Sequence, residues 1–378
     1  MNKPVDRLNL LKPAERPFGE DPATSYTLPA SWYYDPDIYD REKFAIFYRS
    51  WHYACHESQV AERGSYLTTR ILDQNVFVIR GDDGELRGFH NVCQHRGHEL
   101  LSGEGRTKLI VCPYHAWSYR ADGTLAKSRN TETSPGFKAC DFALKPVRVE
   151  VFLGMVLVNC DPEAESFDSM MSGLREEILS YVPDAGSLVF SDRRRYDVAS
   201  NWKVLMDNFL ECYHCHVAHR DLVDLINMDA YETHTHRWWS SHCSRGPVNA
   251  ESSAYAVKTS VDFSYAAWFV WPNMTIWGMP GEPNLSVLQM NPVAEESTME
   301  LLDVFTTSET LSDEMVSACR YLDEVLQPED IGLCESVQRG LKSIGYNQGR
   351  FIVDAGRTEL SEHGVHHFQQ LVRDALAG

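Results

Sequence analysis

The sequence predicts an α+β protein in two domains, and three observations carry that prediction. At 378 residues with 43% hydrophobic content, the chain is long enough for two packed cores. Its first half is cut by turn residues into short β-branched and aromatic runs, the pattern of consecutive strands. Its second half mixes such runs with segments whose apolar positions recur at helical spacing, which suits one antiparallel sheet with helices against it.

Taken in order, "SYLTTRILDQNVFVIRGDDGELRGFHNVC" reads as successive strands broken at "LDQN" and at "DDG", the second a strong hairpin signal. "YRADGTL" repeats the hairpin pattern, and "VEVFLGMVLVNCDP" reads as a buried closing strand. These runs bound a β-domain at 45–160, leaving 1–44 and 161–378 for the second domain. There, "SFDSMMSGLREEILSYV" opens on a serine cap and continues as a helix, as do "DEMVSACRYLDEVL" and "SEHGVHHFQQLVRDAL". "SSAYAVKTSVDF", "AAWFVWPNMTIWGM", "LSVLQMNPV" and "STMELLDVFTTS" read as strands of the antiparallel sheet.

The formal charge of −19 argues against nucleic acid and anionic membranes as partners. No apolar run reaches membrane-spanning length, and the opening "MNKPVDRLNLLKPAERPFGEDP" carries charges throughout, so a cytoplasmic protein is expected. The ten cysteines are scattered over a large chain, which predicts that most are reduced and some bind metal.

Cys93, His95, Cys112 and His115 form C-x-H, sixteen residues, then C-x-x-H. Thiolate and imidazole together suit zinc or an iron-sulfur centre. Zinc fingers use a different ligand spacing, whereas a Rieske 2Fe-2S centre needs two cysteines on one iron and two histidines on the other. One Cys/His pair from each of two loops matches that division. Gly97, Gly103 and Pro113 permit the tight turns that let backbone amides face cluster sulfurs.

"CQHRGHEL" and "CPYHAWSY" resemble the two boxes of the Rieske non-haem iron oxygenases. The resemblance implies that Cys93 and Cys112 hold the inner iron of the cluster, and His95 and His115 the outer one. It implies a second domain of helix-grip type with a mononuclear Fe(II) site. "NWKVLMDNFLECYHCHVAHRDL" supplies His214 and His219, about 140° apart on an ideal helix, so the helix must distort or end between them. Two histidines and one carboxylate make the facial triad of such iron sites. By resemblance the carboxylate is Asp330 in "QPEDIGLCESVQRGL", with Glu329 and Glu335 as alternatives. Glu211 precedes His214 by three residues and so is expected on the same helix face. The resemblance gives it the bridge from an iron-ligating histidine to a cluster histidine of a neighbouring subunit, and Asn208 a place near the iron. Other histidines, His98, His216, His234, His236 and His242, read as polar or surface residues. Cys212 and Cys215 read as packing residues rather than a redox pair.

No dinucleotide fingerprint follows from the glycines of "SGEGRTK" or "GMPGEP", so a separate reductase is expected; the resemblance implies one of the flavin and plant-type ferredoxin class, using NADH or NADPH. A head-to-tail homotrimer follows from the resemblance alone. "RGHELLSG", "ESVQRGLKSIGYNQGR" and "SEHG" resemble the branch acting on quaternary ammonium compounds. Aromatic faces bind such cations. Tyr213, Trp239, Phe269, Trp271 and Trp277 are the candidate substrate residues, with Trp238, Tyr255 and Trp268 nearby and Arg237 or Arg245 available for a substrate carboxylate. The favoured expectation is oxidative demethylation of glycine betaine or proline betaine, releasing formaldehyde. Carnitine cleavage to trimethylamine, choline oxidation, and an aromatic-ring-hydroxylating dioxygenase α subunit stand as alternatives. An electron-transfer protein with an empty second site is a further one.

Overall fold

A computed structural model describes residues 14–258 and 263–378. The described residues divide into a smaller unit, 47–172, and a larger one, 14–46 with 173–258 and 263–378. Within the larger unit, the first helix α1 (Pro36–Ala45) starts on Pro36 behind Asp35, whose side chain accepts from the Asp37 amide, a capped start with the proline where its missing N–H costs nothing.

The smaller unit is antiparallel β-structure. Its strands are β1 (His52–His56), β2 (Ser65–Ile71), β3 (Gln74–Arg80), β4 (Leu86–His90), β5 (Glu104–Arg106), β6 (Ile110–Val111), β7 (Ser118–Tyr119), β8 (Leu125–Lys127), β9 (Pro146–Phe152) and β10 (Met155–Asn159). They form a seven-stranded sheet in the order β1-β10-β9-β4-β3-β2-β5 and a three-stranded one, β6-β7-β8. The segment expected as one closing strand is a hairpin, because Leu153 and Gly154 both take positive φ. At Gly154 a side chain would fall 2.3 Å from His56 Nε2, so the turn requires glycine. The unit runs on to 172 because helix α2 (Phe167–Met170) seats Phe167 against Phe152 and Trp51. Phe77, Phe89, Trp117 and Tyr119 form a core directly under the cysteine loops.

In the larger unit, α3 (Leu174–Tyr181) follows Gly173, whose φ of 89° divides the helix expected from "SFDSMMSGLREEILSYV" in two. Next come β11 (Val189–Val198), α4 (Trp202–Phe209), α5 (Cys215–Ala218) and α6 (Arg220–Leu225). Six strands follow: β12 (Tyr231–Thr235), β13 (Trp239–Arg245), β14 (Phe263–Val270), β15 (Met274–Gly278), β16 (Asn284–Ala294) and β17 (Ser297–Thr306). They form an antiparallel meander that β11 closes beside β17, in the order β11-β17-β16-β15-β14-β13-β12. The strand expected over "SSAYAVKTSVDF" is not formed in its first part, where only the isolated bridge Glu251–Ala256 occurs; residues 259–262 lie outside the described residues. Helices α7 (Asp313–Tyr321) and α8 (Gln327–Leu341) run on through a π turn at Leu322–Leu326, and α9 (His363–Ala377) ends the chain.

Both faces of this sheet are covered, and adjacent residues of β14 show it. Trp268 meets Tyr181 and donates to Glu177 of α3, whereas Phe269 packs on Phe368 of α9; successive side chains point to opposite faces. Helix α4 lies between the sheet and helices α8 and α9. It is tied to α1 inside the core, where Lys203 Nζ meets Glu42 Oε1 at 2.5 Å and Trp202 Nε1 donates to Glu42 Oε2. Among the described residues, no helix is long and apolar enough to cross a membrane.

Candidate active site

In the smaller unit the two cysteine loops are the same turn built twice. The Cys93 carbonyl accepts from Gly97 N, and Cys93 N donates to the His98 carbonyl. The Cys112 carbonyl likewise accepts from Ala116 N, and Cys112 N donates to the Trp117 carbonyl. Gly97 (φ 72°) and Ala116 (φ 60°) occupy the matching left-handed positions. Both cysteines are buried, while His95 is exposed and His115 half-buried, with their rings 4.6 Å apart. The Tyr119 hydroxyl accepts from Gln94 N and lies 3.3 Å from Cys93 Sγ, so its proton is free to face that sulfur. Two buried thiols beneath two outer imidazoles fit a cluster with a sulfur-held inner iron and a nitrogen-held outer iron.

The second group of ligands lies on the larger unit. Helix α4 stops at Phe209, His214 caps the one-turn α5, and His219 closes it and opens α6. The helix therefore ends between α4 and the histidines and again at His219, which lets both imidazoles converge. Glu211 stands in the loop, not on a helix face, yet it reaches His214: Oε1 is 2.5 Å from Nδ1 and Oε2 accepts from the His214 amide. Glu329 Oε2, 2.8 Å from His219 Nδ1, does the same for the second imidazole. Each carboxylate holds its histidine as the Nδ1–H tautomer and turns Nε2 inward. The two Nε2 atoms are 3.1 Å apart, and Asp330 Oδ1 lies 2.9 Å from one and 3.6 Å from the other. Two ligands at right angles on a metal with bonds of about 2.1 Å would stand about 3 Å apart, so His214, His219 and Asp330 fit a single ion. They form a metal-ready triplet. Burial opposes a proton on His214, but Asp330 and Glu211 outweigh it and push its pKa up to about 10. Burial acts to raise Asp330, and the two imidazoles overcome it, bringing it down to about 2.

Next to this triplet, and lined in part by its three ligands, opens a cavity. Strand register places Tyr265, Trp277, Leu288, Met290 and Glu300 on one sheet face above it. Phe209 stacks on Trp277 at 5.9 Å, and Asn208 and Glu211 also line the space. Of the five aromatics expected here, only Trp277 is present. Tyr213 is 49% exposed in the loop after α4. Trp239 is paired with Val270, on the face opposite the cavity, and stacks on His236 at 3.6 Å. Phe269 and Trp271 are occupied by Phe368 of α9. Arg237 and Arg245 are also elsewhere, over Trp238 and Tyr181.

Sequence reasoning missed Phe209, Tyr265 and Glu300. Glu300 had a signal, since it stands two residues from buried Thr298 and Leu302 and so shares their face. Burial, aided by the charge of Asp330, lifts its pKa to about 8. Cys212 and Cys215, expected as packing residues, are instead joined by a disulfide. The tight turn in which Cys215 N donates to the Cys212 carbonyl brings their Cα atoms to 4.9 Å, within bonding range. Glu335, the other alternative ligand, accepts from the Ala199 amide.

Residues 50–145 match the Rieske [2Fe-2S] domain, and residues 186–378 match the ring hydroxylating alpha subunit (catalytic domain). The chain is 37% identical to the carnitine monooxygenase oxygenase subunit of Escherichia coli (strain K12), covering 94% of this chain and 95% of that one. It is 29% identical to the chloroplastic choline monooxygenase of Spinacia oleracea, covering 94% and 79%. A crystal structure of a quaternary ammonium Rieske monooxygenase in complex with L-carnitine superposes with a TM-score of 0.87 at 35% identity, covering 96% and 99%. Two family matches and relatives of this coverage lead to one assignment: the chain is a Rieske non-haem iron oxygenase α subunit, carrying a 2Fe-2S cluster and a mononuclear iron, in the quaternary-ammonium branch with the carnitine and choline monooxygenases.

Proposed function

We propose that the protein hydroxylates the chain methylene bonded to the quaternary nitrogen of a carnitine-type substrate. One atom of dioxygen enters the C–H bond, and the other leaves as water with two electrons and two protons. The resulting quaternary carbinolammonium ion collapses to trimethylamine, an aldehyde and the proton of the new hydroxyl. The observation that carries this reading is the cavity, which sets Phe209, Trp277 and Tyr265 beside the three-ligand site with carboxylates and no Lys or Arg among its described lining residues. Aromatic faces and carboxylates suit a fixed cation. The expected betaine demethylation gives way to what was its alternative, because the relatives compared are carnitine and choline monooxygenases.

When bound, the iron pair of the cluster relays single electrons and the mononuclear iron activates dioxygen. His214, His219 and Asp330 would hold that iron, and Cys93, His95, Cys112 and His115 the cluster. Glu211 and Glu329 keep both imidazoles turned inward by accepting their Nδ1 protons. The apolar lining, Leu288, Met290 and Met279, excludes water from the reacting carbon. A relative named as an oxygenase subunit supports the expected separate reductase. A head-to-tail homotrimer is the assembly in which Glu211 would meet a cluster-bearing loop of a second copy.

Choline oxidation is a second reading favoured by one feature: a substrate carboxylate would meet no Lys or Arg among the described lining residues. Turnover of the loaded protein with a surrogate reductase, NADH and a panel of L-carnitine, choline and glycine betaine tests these readings. Trimethylamine from carnitine is expected. An aldehyde from choline alone would move the assignment to the second reading, and formaldehyde from the betaine would restore demethylation. No product from any of them, with both metal sites filled, would overturn the quaternary-ammonium reading.

A further inference from the structure

Glu300 is a carboxylate in an apolar place. It stands on β17 opposite Met290 of β16 and Tyr196 of β11, sharing its face with Leu288 and Trp277. It is 4% exposed, and its Oε2 has no hydrogen-bond partner. Asp303 on the same strand shows what a buried carboxylate ordinarily does there. Fully buried on the opposite face, it takes two hydrogen bonds of 2.7 Å from Arg193. The other two carboxylates of the cavity are also engaged, Glu211 with His214, and Asp330 with His214 and His219. An unpaired buried carboxylate is unfavourable unless something else meets its charge. Among the described residues lining the cavity there is no Lys or Arg to do so.

We infer that Glu300 is the counter-ion for the substrate's quaternary ammonium group and the residue that makes the cavity select a fixed cation over a neutral molecule of the same shape. The inference rests on the proposed quaternary-ammonium substrate and adds the side chain that recognises it. A trimethylammonium group has no N–H, so it cannot make an ordinary hydrogen bond to any side chain. It is held by charge and by aromatic faces, and Glu300 offers the first where Phe209 and Trp277 offer the second. The cavity also has a second unpartnered polar atom, Trp277 Nε1. Across β15 and β16 Trp277 is opposite Ser286, four residues along from Met290, which pairs with Glu300. A donor at one end and an anion at the other match a molecule with a cation at one end and an oxygen function at the other.

The test compares Glu300→Gln with the wild type by measuring Kd for choline, L-carnitine and 3,3-dimethyl-1-butanol, the uncharged carbon isostere of choline. The protein is loaded with both metals, and the cluster spectrum and circular dichroism serve as controls for folding. Glutamine keeps the size and removes the charge. The expected result is binding of both cations weakened about 10- to 100-fold, with the neutral isostere unchanged and with partial recovery of cation binding in Glu300→Asp. Equal weakening of cations and isostere would make Glu300 a packing residue and overturn the inference. So would unchanged cation binding in the variant. Failure of the wild type to bind any quaternary amine would instead overturn the proposed function, which makes the two failures distinguishable.

Discussion

The two metal-binding regions are made in different ways. The cluster ligands come from two short loops in one small β-unit, each a copy of the same turn, with Gly97 and Ala116 in matching positions. The three-ligand site joins His219 to Asp330, 111 positions away, and depends on α4, α8 and the carboxylates behind the imidazoles. A site built from local turns tolerates change in the rest of the fold. An assembled site is only as stable as the packing that brings its parts together.

Changes that separate the two regions should therefore affect them unequally. Asp330→Ala should abolish turnover and remove one iron per chain while the absorption spectrum of the cluster stays intact; iron analysis with spectroscopy checks this. Glu42→Gln leaves Lys203 charged and buried without its partner, which should cost about 3–5 kcal/mol. Denaturant titration should show the larger unit failing while the cluster absorbance survives to higher denaturant. Glu329→Gln keeps the shape behind His219 but weakens its hold on the Nδ1 proton, and should lower iron affinity about 10- to 100-fold, measured by competition with a chelator.

Acidity gives a fourth contrast. Burial pushes Asp207 up to about 7, against hydrogen bonds from Tyr33 and Gln369. The folded chain then holds a proton that the unfolded chain has lost above its ordinary value of 3.8. This contribution to stability therefore falls as pH rises from about 4 to about 7 and is level beyond that window. Asp207→Asn should flatten it, as read by melting temperature across that range. The smallest effect is expected in the cluster loop. Gly97→Ala places a side chain in open space at positive φ, as Ala116 already does in the matching loop, and should cost about 1 kcal/mol with the cluster still assembled. Loss of the cluster in that variant would end the equivalence of the two loops.

How much could be read in advance follows the same division. Cys93, His95, Cys112 and His115 were legible because their geometry is set within each loop, so spacing alone carries the chemistry. His214 and His219 were legible in part, since their spacing required a break in the helix, and the structure has one. Asp330 depended on resemblance, because nothing local links a late helix to an earlier loop. The substrate aromatics were mostly misplaced for a physical reason. The β14 strand is buried on both faces, so alternation between Trp268 and Phe269 cannot say which side holds a cavity and which side holds α3 or α9. Glu300 went unread because alternation along β17 does not say whether the face of Glu300 or that of Asp303 meets the cavity. The Cys212–Cys215 bond was passed over because the pair was read for packing instead of for the turn that joins it.

The π turn at Leu322–Leu326 has one more consequence, which concerns counting. A π turn amounts to one residue inserted into an α-helix, so all that follows is rotated by about 100° relative to an uninterrupted helix. Asp330 and Glu329 come within eight residues of that insertion. Their aim toward His219 is thus a matter of phase as well as of residue type. Deleting a single residue from the turn would keep every ligand in the sequence and point the carboxylates elsewhere, so the length of this short segment is itself part of the active-site specification.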